Sequence, residues 1–177
     1  MIQLKEAKKI YKNGRTEYPA LNGIDLTIEN GEYVAIIGTS GSGKSTLLNI
    51  IGGMDQTTDG QYLYDEKNVS KMNSHALHLF RKEYVSFVFQ RFALLNQYSV
   101  YENVEVPLLA KGIEKNERKK KVLSALMQVG IQDLYKKKPS ELSGGEQQRC
   151  AIARALVMDT PAVSYTHLRA HETLRHL

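Results

Sequence analysis

The stretch that decides the fold is Gly38-Thr39-Ser40-Gly41-Ser42-Gly43-Lys44-Ser45. Its spacing matches GxxxxGK[ST], which forms a phosphate-binding loop when a strand precedes it and a helix follows it. The apolar residues 33–37 predict a buried strand before the loop, and residues 46–51 predict the first turns of a helix after it. The alternative is a chance glycine-rich turn. The context favours a phosphate-binding loop in an α/β protein.

The residue types of this loop suit phosphate chemistry. Glycines let phosphate oxygens approach the backbone N–H groups, and the start of the following helix favours an anion. Lys44 occupies the position that reaches the β- and γ-phosphates, and the Ser45 hydroxyl occupies the position that holds Mg²⁺.

The composition suits one globular domain. The chain has 177 residues, of which 42% are hydrophobic, and this is enough for a sizeable core. No apolar run is long enough to span a membrane, and the first residues lack the apolar segment of a signal peptide. We expect the lone Cys150 to be a small packed side chain of a cytosolic protein rather than a nucleophile.

The charge is modest, at a formal net value of +5. The basic runs at residues 115–121 and 136–138 are typical of solvated faces. Attraction to anionic lipid headgroups is a second interpretation and nucleic acid a third. We expect no nucleic-acid partner.

Residues 2–37 have the pattern of a small β region, in which residues 24–28 alternate apolar and polar side chains. Asn30 and Gly31 form a turn signal. Tyr11 stands well ahead of the phosphate loop, where its ring could stack on a nucleotide base. The alternative for Tyr11 is an ordinary strand aromatic, and sequence position alone does not decide between them.

After the loop helix, Gly52 and Gly53 predict its end, and Asp59-Gly60 predicts a turn. A short strand at residues 61–65 and a helix at residues 73–81, capped by Asn73 or Ser74, are expected next.

A second buried strand is expected at residues 85–89, with Gln90 at its carboxyl end. Ligands bind at that end in open α/β sheets, so Gln90 is a candidate phosphate-site residue; taken alone, it is also compatible with an ordinary loop residue.

Residues 91–140 are mostly helical in pattern, and residues 114–129 place Val122, Leu123, Leu126 and Met127 on one side.

After Pro139 comes a second motif, Leu142-Ser143-Gly144-Gly145-Glu146-Gln147-Gln148-Arg149, which runs into a helical pattern. Free N–H groups and a hydroxyl at such a helix start predict a second anion site. Two phosphate sites in one domain suggest that two copies share each nucleotide.

With these motifs in this order, residues 1–162 closely resemble the nucleotide-binding subunit of an ABC transporter. The resemblance implies a P-loop NTPase fold of ABC type: a mostly parallel core sheet, an antiparallel β subdomain and a helical subdomain at about residues 91–140. It implies ATP and Mg²⁺ as cofactors, a head-to-tail dimer, a separate membrane-spanning permease, and a location at the cytoplasmic face of the cell membrane.

The resemblance also assigns roles to residues. Tyr11 would stack on adenine, Gln90 would contact Mg²⁺ and the attacking water and would sense the membrane partner, and Lys44 would be catalytic. Ser45 and Gln90 would be the metal residues. The residues expected to contact ATP are Tyr11, Gly38, Thr39, Ser40, Gly41, Ser42, Gly43, Lys44, Ser45, Thr46, Ser143, Gly144, Gly145 and Glu146.

Residues 88–95 and 102–109 look most like one group of this superfamily. The group includes macrolide and antimicrobial-peptide exporters and the lipoprotein-releasing transporters. The transported substrate itself is chosen by the membrane subunit and is not encoded here.

The sequence departs from the family pattern near its end. The Walker B Asp-Glu pair, which holds Mg²⁺ and polarises water, and the switch His are not found. Asp159 ends the helical run and is followed by Thr160 and Pro161, so we interpret it as a helix end. His171 and Glu172 have no strand before them and are no substitute.

Residues 163–173 are Val-Ser-Tyr-Thr-His-Leu-Arg-Ala-His-Glu-Thr, where the family pattern calls for aliphatic residues. They resemble a translated sequencing adapter, so we interpret residues 163–177 as a non-native tail on a truncated domain that lacks its final core strands. A diverged natural C-terminus is the alternative. The chain as written is therefore expected to hydrolyse ATP poorly or not at all.

Two other functional classes remain open. One is a soluble ABC-type ATPase that acts on DNA or ribosomes, although zinc cysteines, coiled coils and tandem ATPase domains are absent from this sequence. The other is a nucleotide-binding module that senses ATP without turnover, which requires that the tail be genuine.

Overall fold

The computed structural model describes residues 1–89 and 92–165. The described chain divides into two compact units, Met1–Val85 and Ser86–Tyr165. The predicted domain limits, with a nucleotide-binding domain at residues 1–162 and a non-native tail from 163, stay a prediction. Most of that tail lies outside the described residues, as does Gln90.

The first unit contains a four-stranded antiparallel sheet in the order β2-β1-β3-β4. Its strands are β1 (Ile2–Asn13), β2 (Thr16–Ile28), β3 (Asp59–Tyr64) and β4 (Lys67–Asn68). The predicted β region is therefore present. The alternation at residues 24–28 is also observed, because the apolar side chains there are half-buried and Asp25 and Thr27 are exposed.

Gly60 lies within β3 and not in a turn, so the turn predicted at Asp59-Gly60 is wrong. Gly60 has φ +79°, and a Cβ there would lie only 2.2 Å from the carbonyl oxygen of Glu6. The neighbouring β1 shifts its register between Lys5 and Lys8 at this point. The glycine therefore serves a close approach of two strand backbones.

The helices of the first unit are α1 (Lys44–Ile51) and α2 (Ser74–Tyr84), with a 3₁₀ turn at Val69–Lys71. Gly52 caps the end of α1, and the Asn73 side chain accepts a 2.9 Å hydrogen bond from the Ala76 N–H, as the sequence predicts. Tyr62 is buried against Phe80, and its hydroxyl donates a 2.6 Å hydrogen bond to the Ile51 carbonyl. Burial raises the pKa of this phenol.

The buried strand predicted at residues 33–37 is not formed, and this prediction is wrong for the structure described. Tyr33 is fully exposed and Ile37 is 81% exposed. Within residues 1–89 and 92–165, no strand pairs with this run. A parallel strand is stable only when neighbours supply its hydrogen bonds and cover both faces, and the apolar pattern does not reveal whether those neighbours are there.

In the second unit, β5 (Val85–Val88, whose first residue lies in the first unit) pairs with β6 (Ala162–Tyr165). The helices are α3 (Val100–Lys111), α4 (Lys115–Gln128) and α5 (Gly144–Leu156). Short 3₁₀ turns lie at Gln132–Leu134 and Pro139–Glu141. The expectation of a mostly helical region is met.

The three helices pack around buried aliphatic side chains that include Val104, Val122 and Leu126. Cys150 is fully buried in this core, as expected, and burial raises the pKa of its thiol to about 11. The prediction for α4 is only half right, because Leu123 and Met127 are exposed. None of the helices within the described residues is both long and apolar enough to cross a bilayer.

Candidate functional site

The loop between residues 38 and 43 leads directly into α1. Gly41 and Gly43 adopt the left-handed region, with φ values of +82° and +88°. A Cβ on Gly43 would lie 2.3 Å from the carbonyl oxygen of Ala20, so both the backbone conformation and the close approach require glycine. The glycines that the motif singles out therefore shape this loop.

Gly43 is the N-cap of α1, and no side chain caps the helix there. The Leu47 N–H already bonds the Gly43 carbonyl at 2.9 Å, which closes the first helical turn. The first N–H groups of a helix have no partner within it, and the helix dipole adds partial positive charge. The start of α1 thus has the properties of an anion site.

Lys44 folds its ammonium back over the loop. It donates hydrogen bonds to the carbonyls of Gly38 at 2.8 Å and Thr39 at 2.5 Å, and it lies 3.3 Å from the Ser42 hydroxyl. Carbonyl oxygens alone do not neutralise an ammonium. The contacts therefore hold a positive charge at the mouth of the loop, where an incoming anion would meet it.

An open depression of about 420 Å³ lies at this place in the first unit. It is lined by Ala20 of β2 and by residues 38–46 except Thr39 and Ser42. Of the nine predicted ATP contacts in residues 38–46, seven therefore line one space, and the other two, Thr39 and Ser42, contact Lys44 instead. The fit to a phosphate chain is good, because the lining combines glycine backbone, three hydroxyls and an ammonium.

Tyr11 lies on β1 and is 41% exposed. Its hydroxyl donates a 2.7 Å hydrogen bond to Asp55, and the Lys9 ammonium lies 5.0 Å from the centre of its ring. Lys9 also pairs with Asp55 at 2.5 Å. Thr46, in the first turn of α1, lies close enough to the same phenol to lower its pKa. Tyr11 is thus held beside the start of α1.

The pKa values of this cluster shift in opposite directions. Burial raises the pKa of Tyr11, the hydrogen bond to Asp55 raises it further, and Thr46 partly opposes the shift. Burial also raises the pKa of Asp55, but hydrogen bonds from Lys9, Tyr11 and the Gln56 N–H outweigh it, so the pKa falls below its ordinary value. The cluster therefore holds a charged Asp55 and a neutral Tyr11.

Sequence reasoning missed Asp55, Lys9 and Ala20. Lys9 stands two residues before Tyr11, and such residues share one face of a strand, so this pair had a local signal. Asp55 and Ala20 have none, because their contacts join distant parts of the chain.

The second motif forms the start of α5, as predicted. Ser143 is the N-cap, and the Glu146 carboxylate accepts hydrogen bonds from the Ser143 N–H at 2.7 Å and hydroxyl at 2.8 Å. These bonds, backbone first, hold the pKa of Glu146 below its usual range. A Cβ on Gly144 would meet nothing within 4 Å. The approach to this helix start is open, although an anion there would have to compete with the Glu146 carboxylate.

The loop and the α5 motif lie in different units. Gln90 lies outside the described residues, so its role stays a prediction, as do the individual ATP-contact assignments. Asp159 lies just beyond the last residue of α5, where a helix end is predicted. Groups of three or more metal-ligating side chains do not occur in the described ranges.

These features together define a P-loop ATP-binding domain, and comparison with known proteins specifies which kind. The family model for ABC transporters matches residues 21–163. The chain belongs to the ABC transporter family, as an ATP-binding domain. The resemblance inferred from the motifs is confirmed.

Two relatives illustrate the similarity. The macrolide export ATP-binding/permease protein MacB of Hyphomonas neptunium is 45% identical over 163 residues, covering 92% of this chain and 25% of the relative. The uncharacterized ABC transporter ATP-binding protein YvrO of Bacillus subtilis is 46% identical over 157 residues, which cover 89% of this chain and 69% of the relative. The chain therefore spans about a quarter of the first relative and about two thirds of the second.

A solved structure has the same fold. The dimeric ATP-binding cassette MJ0796, in a post-hydrolysis state bound to ADP and Pi, superposes with a TM-score of 0.85 at 41% identity, covering 92% of this chain and 72% of that one. The predicted ABC-type α/β fold is thereby confirmed.

Proposed function

We propose that this chain is the ATP-binding subunit of an export transporter, which couples ATP binding and hydrolysis to movement of a substrate through a separate membrane permease. The observation that carries the proposal is the depression at the start of α1, lined by the glycine loop, Lys44 and Ser45. The family match and the relative named as a macrolide exporter support the transport role.

Within this proposal, the residues of the loop hold the phosphates and Lys44 exchanges its carbonyl contacts for phosphate oxygens. Ser45 and Gln90 would hold Mg²⁺, and the metal would neutralise charge on the phosphates. Tyr11 stacks on the adenine. In a head-to-tail dimer, the γ-phosphate of the ATP bound by one copy is contacted by Ser143, Gly144 and Gly145 of the other copy. The dimeric state named for MJ0796 supports this arrangement.

The exported substrate belongs to the class of peptides, macrolide-like drugs or lipoproteins, in line with the group that residues 88–95 and 102–109 resemble. The subunit works at the cytoplasmic face of the membrane. The hydrolysis step of this proposal is the family's activity and needs a Walker B Asp-Glu pair and a switch His. These residues are not found in the sequence, so we expect the chain as written not to turn over ATP at a useful rate. A soluble ABC-type ATPase and a sensor without turnover are the competing functions.

Titration with ATP tests the central claim. Lys44→Ala should weaken ATP affinity by about 100-fold, because a charge-assisted contact to phosphate is worth roughly 1.5–3 kcal/mol. Lys71→Ala is the matched control, since Lys71 is an exposed lysine of the same unit. Equal ATP affinity in the wild type and Lys44→Ala would refute the proposal.

A further inference from the structure

The side chain of Arg154 joins α5 to the loop that follows Gln90. Its two terminal nitrogens each donate a 2.7 Å hydrogen bond, one to the carbonyl of Phe92 and the other to the carbonyl of Ala93. The guanidinium thus spans two consecutive backbone carbonyls. A planar fork of donors suits this arrangement, and the single ammonium of a lysine does not reproduce it.

The loop that Arg154 holds has an unfavourable backbone. Phe92 has φ +58° and Ala93 has φ +47°, and both residues carry a Cβ that disfavours the left-handed region. Two such residues in succession persist only where the surroundings fix them. The arginine fork is one such constraint, because it binds the carbonyls of these same two residues.

The described residues on either side of positions 90 and 91 lie next to each other. The Phe92 N–H donates a 2.9 Å hydrogen bond to the Phe89 carbonyl. A contact that fixes Phe92 therefore also restrains Phe89. Arg154 therefore acts directly on Phe92 and, through the Phe92 N–H, on Phe89, and these two residues flank positions 90 and 91 in the sequence.

Apolar packing and a second polar anchor act on the same loop. Ala151 and Ala155 of α5 pack with Val88, Phe92 and Leu94. Further along, the fully buried Asn103 of α3 accepts a 2.8 Å hydrogen bond from the Leu95 N–H. The loop is therefore bound to α3 at one end, while its other end depends on α5 and Arg154.

Arg154 is half-buried, and burial lowers its pKa without removing its charge in the physiological range. A buried charge is costly unless hydrogen bonds satisfy it. A guanidinium is not needed here for packing alone, since the neighbouring packing contacts are made by alanines and other apolar side chains, Phe92 among them.

We propose that Arg154 is a positioning residue, which fixes the loop after Gln90 to the helix α5 that begins with the Ser143 motif. We infer that this anchor affects the function of Gln90 through Phe89 and Phe92, which flank positions 90 and 91 in the sequence. The anchoring itself needs no nucleotide. Only its consequence for Mg²⁺ rests on the proposed function, in which Gln90 contacts the metal.

Hydrogen exchange on the full chain without nucleotide tests the anchoring. In Arg154→Met, the amides of residues 92–95 should exchange about tenfold faster, because two charge-assisted hydrogen bonds are lost while the side chain stays long. Arg154→Lys should fall between Arg154→Met and the wild type. Lys120→Met, which removes an exposed charge in the same unit, should match the wild type.

Unchanged exchange at residues 92–95 in Arg154→Met would overturn the proposal. If Arg154→Met loses protection throughout residues 86–165, Arg154→Lys decides. Faster exchange confined to residues 92–95 in the lysine variant supports the proposal. Loss of protection throughout residues 86–165 in the lysine variant overturns the proposal, because Arg154 would then stabilise the whole unit. Unchanged exchange in that variant also overturns the proposal, because the arginine fork would then not be needed to hold the loop.

A double-mutant cycle tests the consequence for the metal. Arg154→Met should weaken ATP binding about threefold with Mg²⁺ and leave Mg²⁺-free binding unchanged, and this loss should vanish in a Gln90→Ala background. An equal loss in both backgrounds would show that Arg154 does not act through Gln90. If Lys44→Ala leaves ATP affinity intact, the proposed function fails, while the exchange experiment still decides the anchoring.

Discussion

The phenol of Tyr11 on β1 is hydrogen bonded at 2.7 Å to the carboxylate of Asp55, which lies just after α1. Lys9 bonds the same carboxylate, so one acid holds both a ring and a cation. The result is a tyrosine that is held at its hydroxyl end, is 41% exposed, and lies beside the start of α1. A stacking ring benefits from being held in place in this way.

Tyr11→Ala should weaken ATP affinity by about tenfold, less than Lys44→Ala, since stacking on one base is worth roughly 1–3 kcal/mol. Tyr11→Phe keeps the ring and should lose only a fraction of this. Tyr135→Ala removes a comparably exposed tyrosine of the other unit and serves as the control in the same ATP titration. If Tyr11→Ala binds ATP as tightly as Tyr135→Ala, Tyr11 does not contact the base.

Asp55 should make stability depend on acid pH. Its pKa is lower in the folded chain than its ordinary value, so its contribution is present above about pH 4 and is lost as the pH falls through the lowered pKa. We expect Asp55→Asn to lower the free energy of unfolding by about 1 kcal/mol at pH 7. The difference in free energy of unfolding between Asp55→Asn and the wild type should disappear as the pH is lowered toward 2.

Urea unfolding at the two pH values measures this gap. Asp133→Asn is the control, because Asp133 is an exposed acid that lies in the other unit. A gap for Asp55→Asn that is the same at both pH values would contradict the assignment of the stability to the carboxylate charge.

Gly43→Ala should disrupt the loop. The added Cβ would lie 2.3 Å from the backbone oxygen of Ala20, and φ is +88°, so either the loop or β2 must move. ATP affinity should drop by at least about tenfold, because the N–H groups at the start of α1 lose their arrangement. Gly14→Ala is a matched control, since its φ is also positive, at +59°, and a Cβ there meets nothing within 4 Å.

Comparison of the two variants separates the effect of backbone strain from the effect of the steric clash between the Gly43→Ala Cβ and Ala20. Each should lose roughly 1–2 kcal/mol of stability from the left-handed conformation, and only Gly43→Ala should lose ATP affinity as well. Isothermal titration and thermal unfolding provide the two readouts. Equal ATP affinity in the two alanine variants would exclude a special role for the approach of Gly43 to Ala20.

The apolar run at residues 33–37 should make the chain as written prone to aggregation. Tyr33 and Ile37 are both strongly exposed, and an exposed apolar backbone segment is a template for pairing with another chain. Ile37→Lys should raise the soluble fraction, whereas Tyr18→Lys, at an exposed aromatic of the paired strand β2, should not. Light scattering of the purified chains measures the difference.

The same chain should show no ATPase activity above that of Lys44→Ala in any soluble fraction, because the Walker B Asp-Glu pair and the switch His are not found in the sequence. Replacing residues 163–177 with the C-terminus of a family member should improve both solubility and turnover. Turnover that depends on Lys44 in the chain as written would show that the tail is functional.

The sequence by itself determined the features that lie within a single turn or motif. The glycine loop before Lys44, the Asn73 cap of α2 and the Ser143–Glu146 capping box of α5 are all local, because their partners stand within a few residues of each other. A local spacing therefore identified them, and the loop and the α5 motif together were specific enough to indicate the family.

Only the tertiary structure decided the features whose partners are distant in the chain. Tyr11 meets Asp55 across 44 positions, and Arg154 meets Phe92 across 62. Whether residues 33–37 form a strand depends on a neighbouring strand, which their own pattern does not contain. Such contacts depend on strand pairing and on where helices pack. The sequence around an apolar run or a lone tyrosine therefore does not identify the distant residue that it contacts.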